Sequence, residues 1–556
     1  MIGRQSIIGW AVITHAPVIA LLWVSGCTTI RDCAGGPVHS RTLPVRAWWT
    51  KTSTALEDLK AAREFGVNTV IIEHDGSGVG WNTIIDGLAV YDFSADHRRT
   101  GADRQQVELR QEQYRAILDQ AARRGIQTYV MCPEIDLPDS ALRVSYEDEQ
   151  IWRLIQSRLQ EVFQALPDLN GFMLYLCEGQ LEVFDMPGEE RSMASRAHRL
   201  IDTVWEACRA ERRKLLVTTF IHHPARLQAI AEALRRFPSH PDLAVVQYCC
   251  PNDWGLYEVL NPSIGRVGPH PEILAFDYAG ENWGQGAHPF VQIEFMARRL
   301  RQARGLSPNI AGLAGYVAWY GRRALGTFNE ANIYAGAALA ADPDRDPHSI
   351  LLAWCTQRFG ERAAGVAAEC LARTQPAVFA AQHVFGYWLD TTNKSGLPAL
   401  AELDEYFIRD AFGEALGKWD PAHLPVWKRI QSPDAQFVEE MLAEKETAIA
   451  LTQQSLRQIR SARQLFQPAD FEALESAFEF QVIWFGLWRD LTHAFFLRQI
   501  ALRRGWTPEQ RKAVDAALSS LVAGADTLEA RFGPDVFPRG PERAQQFAAD
   551  LRREMQ

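Results

Sequence analysis

Residues 45–73 read VRAWWTKTSTALEDLKAAREFGVNTVIIE and contain one complete strand–helix–strand unit. Val45–Trp49 and Thr69–Glu73 are β-rich runs of the length of a buried strand. Between them Leu56, Leu59, Ala62 and Phe65 recur at three and four spacing, the period of one helix face, and Gly66 stops the helix. The turn after the first strand, Trp48-Trp49-Thr50-Lys51, has no glycine, which argues against the phosphate-cradling turn of a doubly wound dinucleotide sheet. The alternation continues outward through Gln127–Cys132, Gly171–Cys177, Leu215–His222, Leu243–Cys250, Ile273–Tyr278 and Gly315–Trp319. Eight such units within residues 44–342 predict an α/β fold, a (β/α)8 TIM barrel. Beyond Asp342 the alternation ceases. Helical patterns such as Val438–Leu465 and Phe471–Leu502 follow one another, so residues 343–556 predict an all-α C-terminal domain.

The first 26 residues read as an export signal: Arg4 precedes a mostly apolar stretch that ends Val24-Ser25-Gly26-Cys27. That ending resembles the bacterial lipobox, which implies lipidation at Cys27, a short tether over residues 27–43 and a membrane attachment through the N-terminal lipid. An uncleaved signal anchor is the alternative, and either places the chain in the cell envelope. Thr28 stands where an inner-membrane retention signal would have Asp, which by resemblance favours the outer membrane. No later stretch approaches about 18 uninterrupted apolar residues, the length a spanning helix needs.

Lys+Arg 58 against Asp+Glu 68 gives a net charge of −10 without a long basic run, which makes nucleic acid a poor partner. The eight cysteines other than Cys27 lack CxxC pairing and sit mostly in apolar runs, so buried thiols are expected and a metal site is not. The 17 tryptophans are the unusual entry in the composition, because flat apolar faces with a polar edge suit sugar rings as well as cores.

In a barrel of this class the catalytic groups stand at the C-terminal ends of the strands. Those ends read Glu73-His74-Asp75, Cys132-Pro133-Glu134, Cys177-Glu178-Gly179-Gln180, His222-His223, Pro251-Asn252-Asp253-Trp254 and Gly280-Glu281-Asn282-Trp283. Carboxylates interleaved with tryptophans at one mouth suit glycoside hydrolysis, in which one protonated acid meets the leaving oxygen and one ionised carboxylate acts on the opposite face. Each such carboxylate also has a plain reading as a helix cap or an ion-pair partner.

The run Gly171-Phe172-Met173-Leu174-Tyr175-Leu176-Cys177-Glu178-Gly179-Gln180 resembles the strand of glycoside hydrolase family 67 α-glucuronidases that ends in Ser-Glu-Gly-Gln and bears the general acid. Val246-Gln247-Tyr248-Cys249-Cys250-Pro251-Asn252-Asp253 and Gly280-Glu281-Asn282-Trp283-Gly284-Gln285 resemble the segments that carry its general-base candidates. Asn329-Glu330-Ala331-Asn332-Ile333-Tyr334, followed by Ala341-Asp342-Pro343, resembles its Ala-Asn-Leu-Tyr helix. The resemblance implies an inverting hydrolase with Glu178 as acid and Asp253 or Glu281 as base, needing no cofactor. It also shows two departures. The β-sandwich that normally precedes the barrel is missing from residues 27–43, and the family's carboxylate-gripping basic residues fall on Leu174, Thr218 and Cys249. Arg322, Arg323 or Lys51 could supply a relocated cation.

These readings converge on an exported glycoside hydrolase acting on an oligosaccharide, α-glucuronidase-like or specific for a neutral sugar. The rivals are a non-catalytic carbohydrate-binding lipoprotein and a structural envelope protein that docks through its helical half. Trp48, Trp49, Glu73, His222, Trp254, Trp283, Trp319 and Arg322 are the expected substrate-binding residues.

Overall fold

Alternating β-rich and helical runs close here into a parallel barrel, β1 to β8 in sequence order, with β1 also paired to β8. The computed structural model describes residues 42–73, 101–133, 145–177, 182–188, 191–251, 254, 259–319, 322–389, 396–409, 416–534 and 539–556. The export signal, Cys27 and the tether up to residue 41 lie outside them. The strands are β1 Val45–Lys51, β2 Thr69–Glu73, β3 Gln127–Pro133, β4 Gly171–Tyr175, β5 Lys214–Thr218, β6 Leu243–Tyr248, β7 Glu272–Asp277 and β8 Ile310–Tyr316. Side chains alternate faces along a strand, so register fixes which residues fill the barrel. Trp49 on β1 pairs with Ile71 on β2 and Tyr316 on β8, which sets these residues on the inner face.

The eighth strand begins at Ile310, not at Gly315 as its sequence suggests. Gly312 and Gly315 look like strand breakers, yet each is a point of close approach. A β-carbon on Gly312 would strike the backbone of Val45, and one on Gly315 would strike the ring of Tyr278. That ring is wedged between β8 and the helix Glu330–Ala341, where Gly336 admits its hydroxyl end. Burial pushes the Tyr278 phenol well above its ordinary range.

The C-terminal region is helical, as its sequence predicts. Its longest helix, Pro468–Arg504, starts with proline at the first turn and ends with Arg503 and Arg504 before Gly505 at φ 81°, a start and a stop that the backbone itself favours. It packs between Ala435–Ser461 and Pro508–Phe532. The helices join the barrel within one unit, Arg41–Gln556. Gln481 of the long helix donates to the Pro289 carbonyl at 2.7 Å, and its amide nitrogen lies 3.0 Å from Nδ1 of His288. Among the described residues the seven cysteines are buried thiols, and burial lifts those of Cys355 and Cys370 to about 12 and about 11. No helix of these residues is long and apolar enough to cross a membrane.

Candidate active site

Two consecutive tryptophans on β1 necessarily face opposite ways. Trp48 turns outward onto Phe65, with ring centroids 5.6 Å apart, and is therefore part of the layer between barrel and helices, not of the mouth. Trp49 turns inward, where its ring meets the edges of Tyr316 at 5.2 Å, Tyr248 at 5.9 Å and Tyr175 at 6.5 Å. Its indole N–H donates to Glu73 Oε2 at 3.0 Å, and the Tyr316 hydroxyl donates to the same oxygen at 2.8 Å. Lys51 completes the set with an ion pair to Glu73 Oε1 at 2.7 Å; the two side chains are 1% and 3% exposed. Glu73 is thereby the centre of a buried network under the mouth.

A second indole–carboxylate pair sits beside the first. Trp254 stacks on Tyr248 at 4.3 Å, leans on Tyr316 at 6.2 Å and donates its N–H to Glu281 Oε2 at 3.0 Å. Tyr248 and Tyr316 thus form a shared wall between Trp49 with Glu73 and Trp254 with Glu281. Burial, with Glu73 and then Glu281 adding negative charge nearby, holds the Tyr316 phenol well above its ordinary range, so it stays a donor. Phe220 extends the wall by stacking on Tyr175 at 5.2 Å, and the half-buried His222 meets Phe220 edge-on at 5.1 Å.

Glu281 owes its place to the last residue of β7. Asp277 accepts the backbone N–H of Gly280 at 2.9 Å and of Glu281 itself at 2.6 Å, closing a turn in which Gly280 takes φ 75°. The neighbouring Asn282 is fully buried, and among the described residues neither atom of its amide has a hydrogen-bond partner.

The structure brings Trp49, Glu73, Trp254 and Glu281 together and sets His222 near them. It removes Trp283, which packs against Phe290, Phe379, His383 and Trp388 and so belongs to the contact between barrel and helices; Trp49, Glu73, Trp254 and Glu281 are themselves only 2–3% exposed. Trp319 and Arg322 pair as the two-stranded hairpin β9 (Ala318–Trp319) and β10 (Arg322–Arg323). Arg322 is half-buried there, while Arg323 is spent on the buried Asp58 at 2.7 Å. Glu178 and Asp253 lie outside the described residues; Cys177 before the one and Trp254 after the other are both buried. Among the described residues no group of three or more His, Cys, Asp or Glu could hold a metal ion.

Sequence reasoning overlooked Tyr316, Tyr248 and Asp277. The signal for Tyr316 is the inner-face series Gly312, Ala314, Tyr316, two small residues and then a large polar-tipped one at the strand's end. It was hidden by extending β8 to Trp319. Leu174 lies next to the inward Tyr175 and so faces the helices, where even a basic residue would not reach the mouth.

No known protein family and no curated protein matches this sequence. Solved structures of glycoside hydrolases do. A GH138 enzyme targeting pectin rhamnogalacturonan II aligns with a TM-score of 0.60 at 10% identity, over 93% of this chain and 67% of that one. A GH115 4-O-methyl-α-glucuronidase with specificity for decorated arabinogalactans aligns at 0.45 and 10% identity, over 92% and 62%. An O-GlcNAc hydrolase of Thermobaculum terrenum aligns at 0.44 and 12% identity, over 92% and 94%. The first of these likenesses is one of fold: this chain is built as a closed parallel barrel followed by helices, an architecture that a glycoside hydrolase also uses.

Proposed function

We propose that the chain is a glycoside hydrolase that acts on an oligosaccharide by inversion and is held in the cell envelope by a lipid on Cys27. The observation that carries the reading is the Trp254–Glu281 hydrogen bond at the mouth of a parallel barrel, beside a wall of tyrosines. The indole N–H gives the carboxylate a fixed orientation, which a general base requires. Glu178, carried over from the family 67 resemblance, gives its proton to the departing oxygen; Glu281 or Asp253 takes one from the water that attacks the anomeric carbon from the other side. The fold likeness to the GH138 enzyme agrees with this class of reaction.

The ion pairs favour a neutral sugar over a uronic acid in the mouth. Lys51 is committed to Glu73 and Arg323 to Asp58, and a sugar carboxylate buried without a cation costs several kcal/mol, on the order of the desolvation penalty of an unpaired charge. Among the described residues, an α-glucuronidase-like specificity would draw on the half-buried Arg322. The test is a panel of rhamnogalacturonan II, glucuronosyl and neutral oligosaccharides offered to the purified full-length chain, with the anomer of the released sugar followed by NMR. Release with inverted configuration, abolished in Glu178→Gln, is expected. Binding without hydrolysis of any member would favour the carbohydrate-binding lipoprotein, and release with retention would remove the inverting scheme.

A further inference from the structure

Glu281 lies on an irregular segment, Tyr278–Gln292, between β7 and the helix Ile293–Leu306. Most of this segment is buried, so its backbone N–H and C=O groups need partners away from water. Two asparagines supply them. Asn329 donates to Ala279 O at 2.8 Å and accepts from Phe290 N at 2.8 Å. Asn332 donates to Tyr278 O at 3.2 Å and to Phe290 O at 2.8 Å, and accepts from Gln292 N at 2.9 Å. Each amide therefore ties the start of the segment to its end. Both are fully buried and stand three residues apart at the first turn of Glu330–Ala341, so they face the same side.

We propose that Asn329 and Asn332 are positioning residues for Glu281: they close the segment into a loop whose shape holds that carboxylate against Trp254. The proposal rests on the role of Glu281 in the hydrolase reading, and it gives the Asn-x-x-Asn pattern a mechanical purpose. Asp277 fixes the turn locally, with Trp283 N and Gln285 N on the Gly280 carbonyl, but its own strand end is where the loop begins. Without the asparagines the far end keeps the bonds of Gln292 to the Asp277 carbonyl and of Val291 N to Thr374 but loses its ties to Tyr278 and Ala279, which leaves the loop between them, and the base on it, free to drift. A displacement of about 1 Å at a reacting group can cost about a hundredfold in rate.

The test compares Asn332→Ala and Asn329→Ser with Leu339→Ala, which thins the buried side of the same helix away from the loop. On a hydrolysed glycoside, the asparagine variants should lose kcat about a hundredfold with KM within about threefold, whereas Leu339→Ala should keep kcat at matched temperature below its own unfolding. A second arm does not need activity. In protein labelled with 5-fluorotryptophan, the Trp254 resonance, identified by its loss in Trp254→Phe, should move or broaden in both asparagine variants and stay in Leu339→Ala. Wild-type kcat together with an unmoved Trp254 resonance in either folded asparagine variant overturns the proposal. If the wild-type chain hydrolyses no glycoside, the hydrolase reading falls and the fluorine arm alone decides. If Asn332→Ala does not fold, Asn329→Ser, which keeps a short hydroxyl, carries the comparison.

Discussion

Trp254 reaches Glu281 with its indole N–H at 3.0 Å while holding its own backbone at φ 51°, a left-handed conformation that costs a non-glycine residue about 1–2 kcal/mol. Trp254→Phe keeps a ring against Tyr248 and deletes the donor. Loss of a hydrogen bond to a charged group is worth about 1.5–3 kcal/mol, so kcat should fall about tenfold to a hundredfold. Steady-state kinetics check this. An unchanged kcat would separate Trp254 from the base.

Lys51 and Glu73 form the second buried constellation, and it should behave as a unit. Lys51→Met strands Glu73 in a dry site with only Trp49 and Tyr316 as donors, at a cost of about 3–5 kcal/mol. Adding Glu73→Gln removes the stranded charge and should recover much of that loss. Denaturant midpoints at constant slope measure the cycle. If the two substitutions simply add, the pair is not coupled.

Acid should loosen the contact between the barrel and the long helix. Burial pushes His288 down to about 4 from 6.5, opposed by the Pro289 carbonyl beside its Nδ1, and that nitrogen lies 3.0 Å from the Gln481 amide, whose N–H groups a protonated ring would repel. A histidine depressed in the folded state contributes stability that is present above its unfolded value and lost as pH falls toward the folded one. Between pH 6.5 and about 4 the site should therefore lose roughly 3 kcal/mol, with His383, depressed to about 3 by burial and then by Lys445, adding to the slope. His288→Gln should flatten the stability–pH curve by about one proton in that window. A curve as steep as that of the wild type would refute the assignment.

Asn282 invites an exchange of stability for function. An amide buried with neither atom bonded is costly, so the similarly sized Asn282→Leu should raise the unfolding free energy by about 1 kcal/mol. Beside Glu281 the same substitution should lower turnover by about tenfold, as expected where a strained or unsatisfied group is kept for the reaction. Thermal unfolding and kinetics on one preparation answer both. A more stable and fully active variant would take Asn282 out of the chemistry.

The barrel was legible because its strands carry period-two or continuous apolar runs and its helices a clear stripe; β2 lies where its sequence places it. The start of β8 was hidden because glycine signals a break in sequence whether it breaks a strand or admits a neighbour. The mouth was only partly legible for a related reason. Trp48, Trp49, Trp254 and Trp283 are one residue type in similar local contexts, and only register and the docking of the helices decide which ones face the barrel interior. Asp277 escaped notice because its work is done on the backbone of the more conspicuous Glu281.

The wedged ring of Tyr278 makes a statement about descent that sequences can answer. A β-carbon at Gly315 would meet Cε2, Cδ2 and Cζ of that ring and one at Gly336 would meet its hydroxyl, Cζ and Cε2, so the two glycines constrain the same end of one side chain. A relative with alanine in place of either glycine should have given up the aromatic ring, because removing the hydroxyl alone leaves the ring carbon Cζ 2.6 Å from a β-carbon at Gly336. Substitutions at the three positions are thus expected to arrive in linked sets, and the order in which they accumulate would record the path by which this barrel diverged.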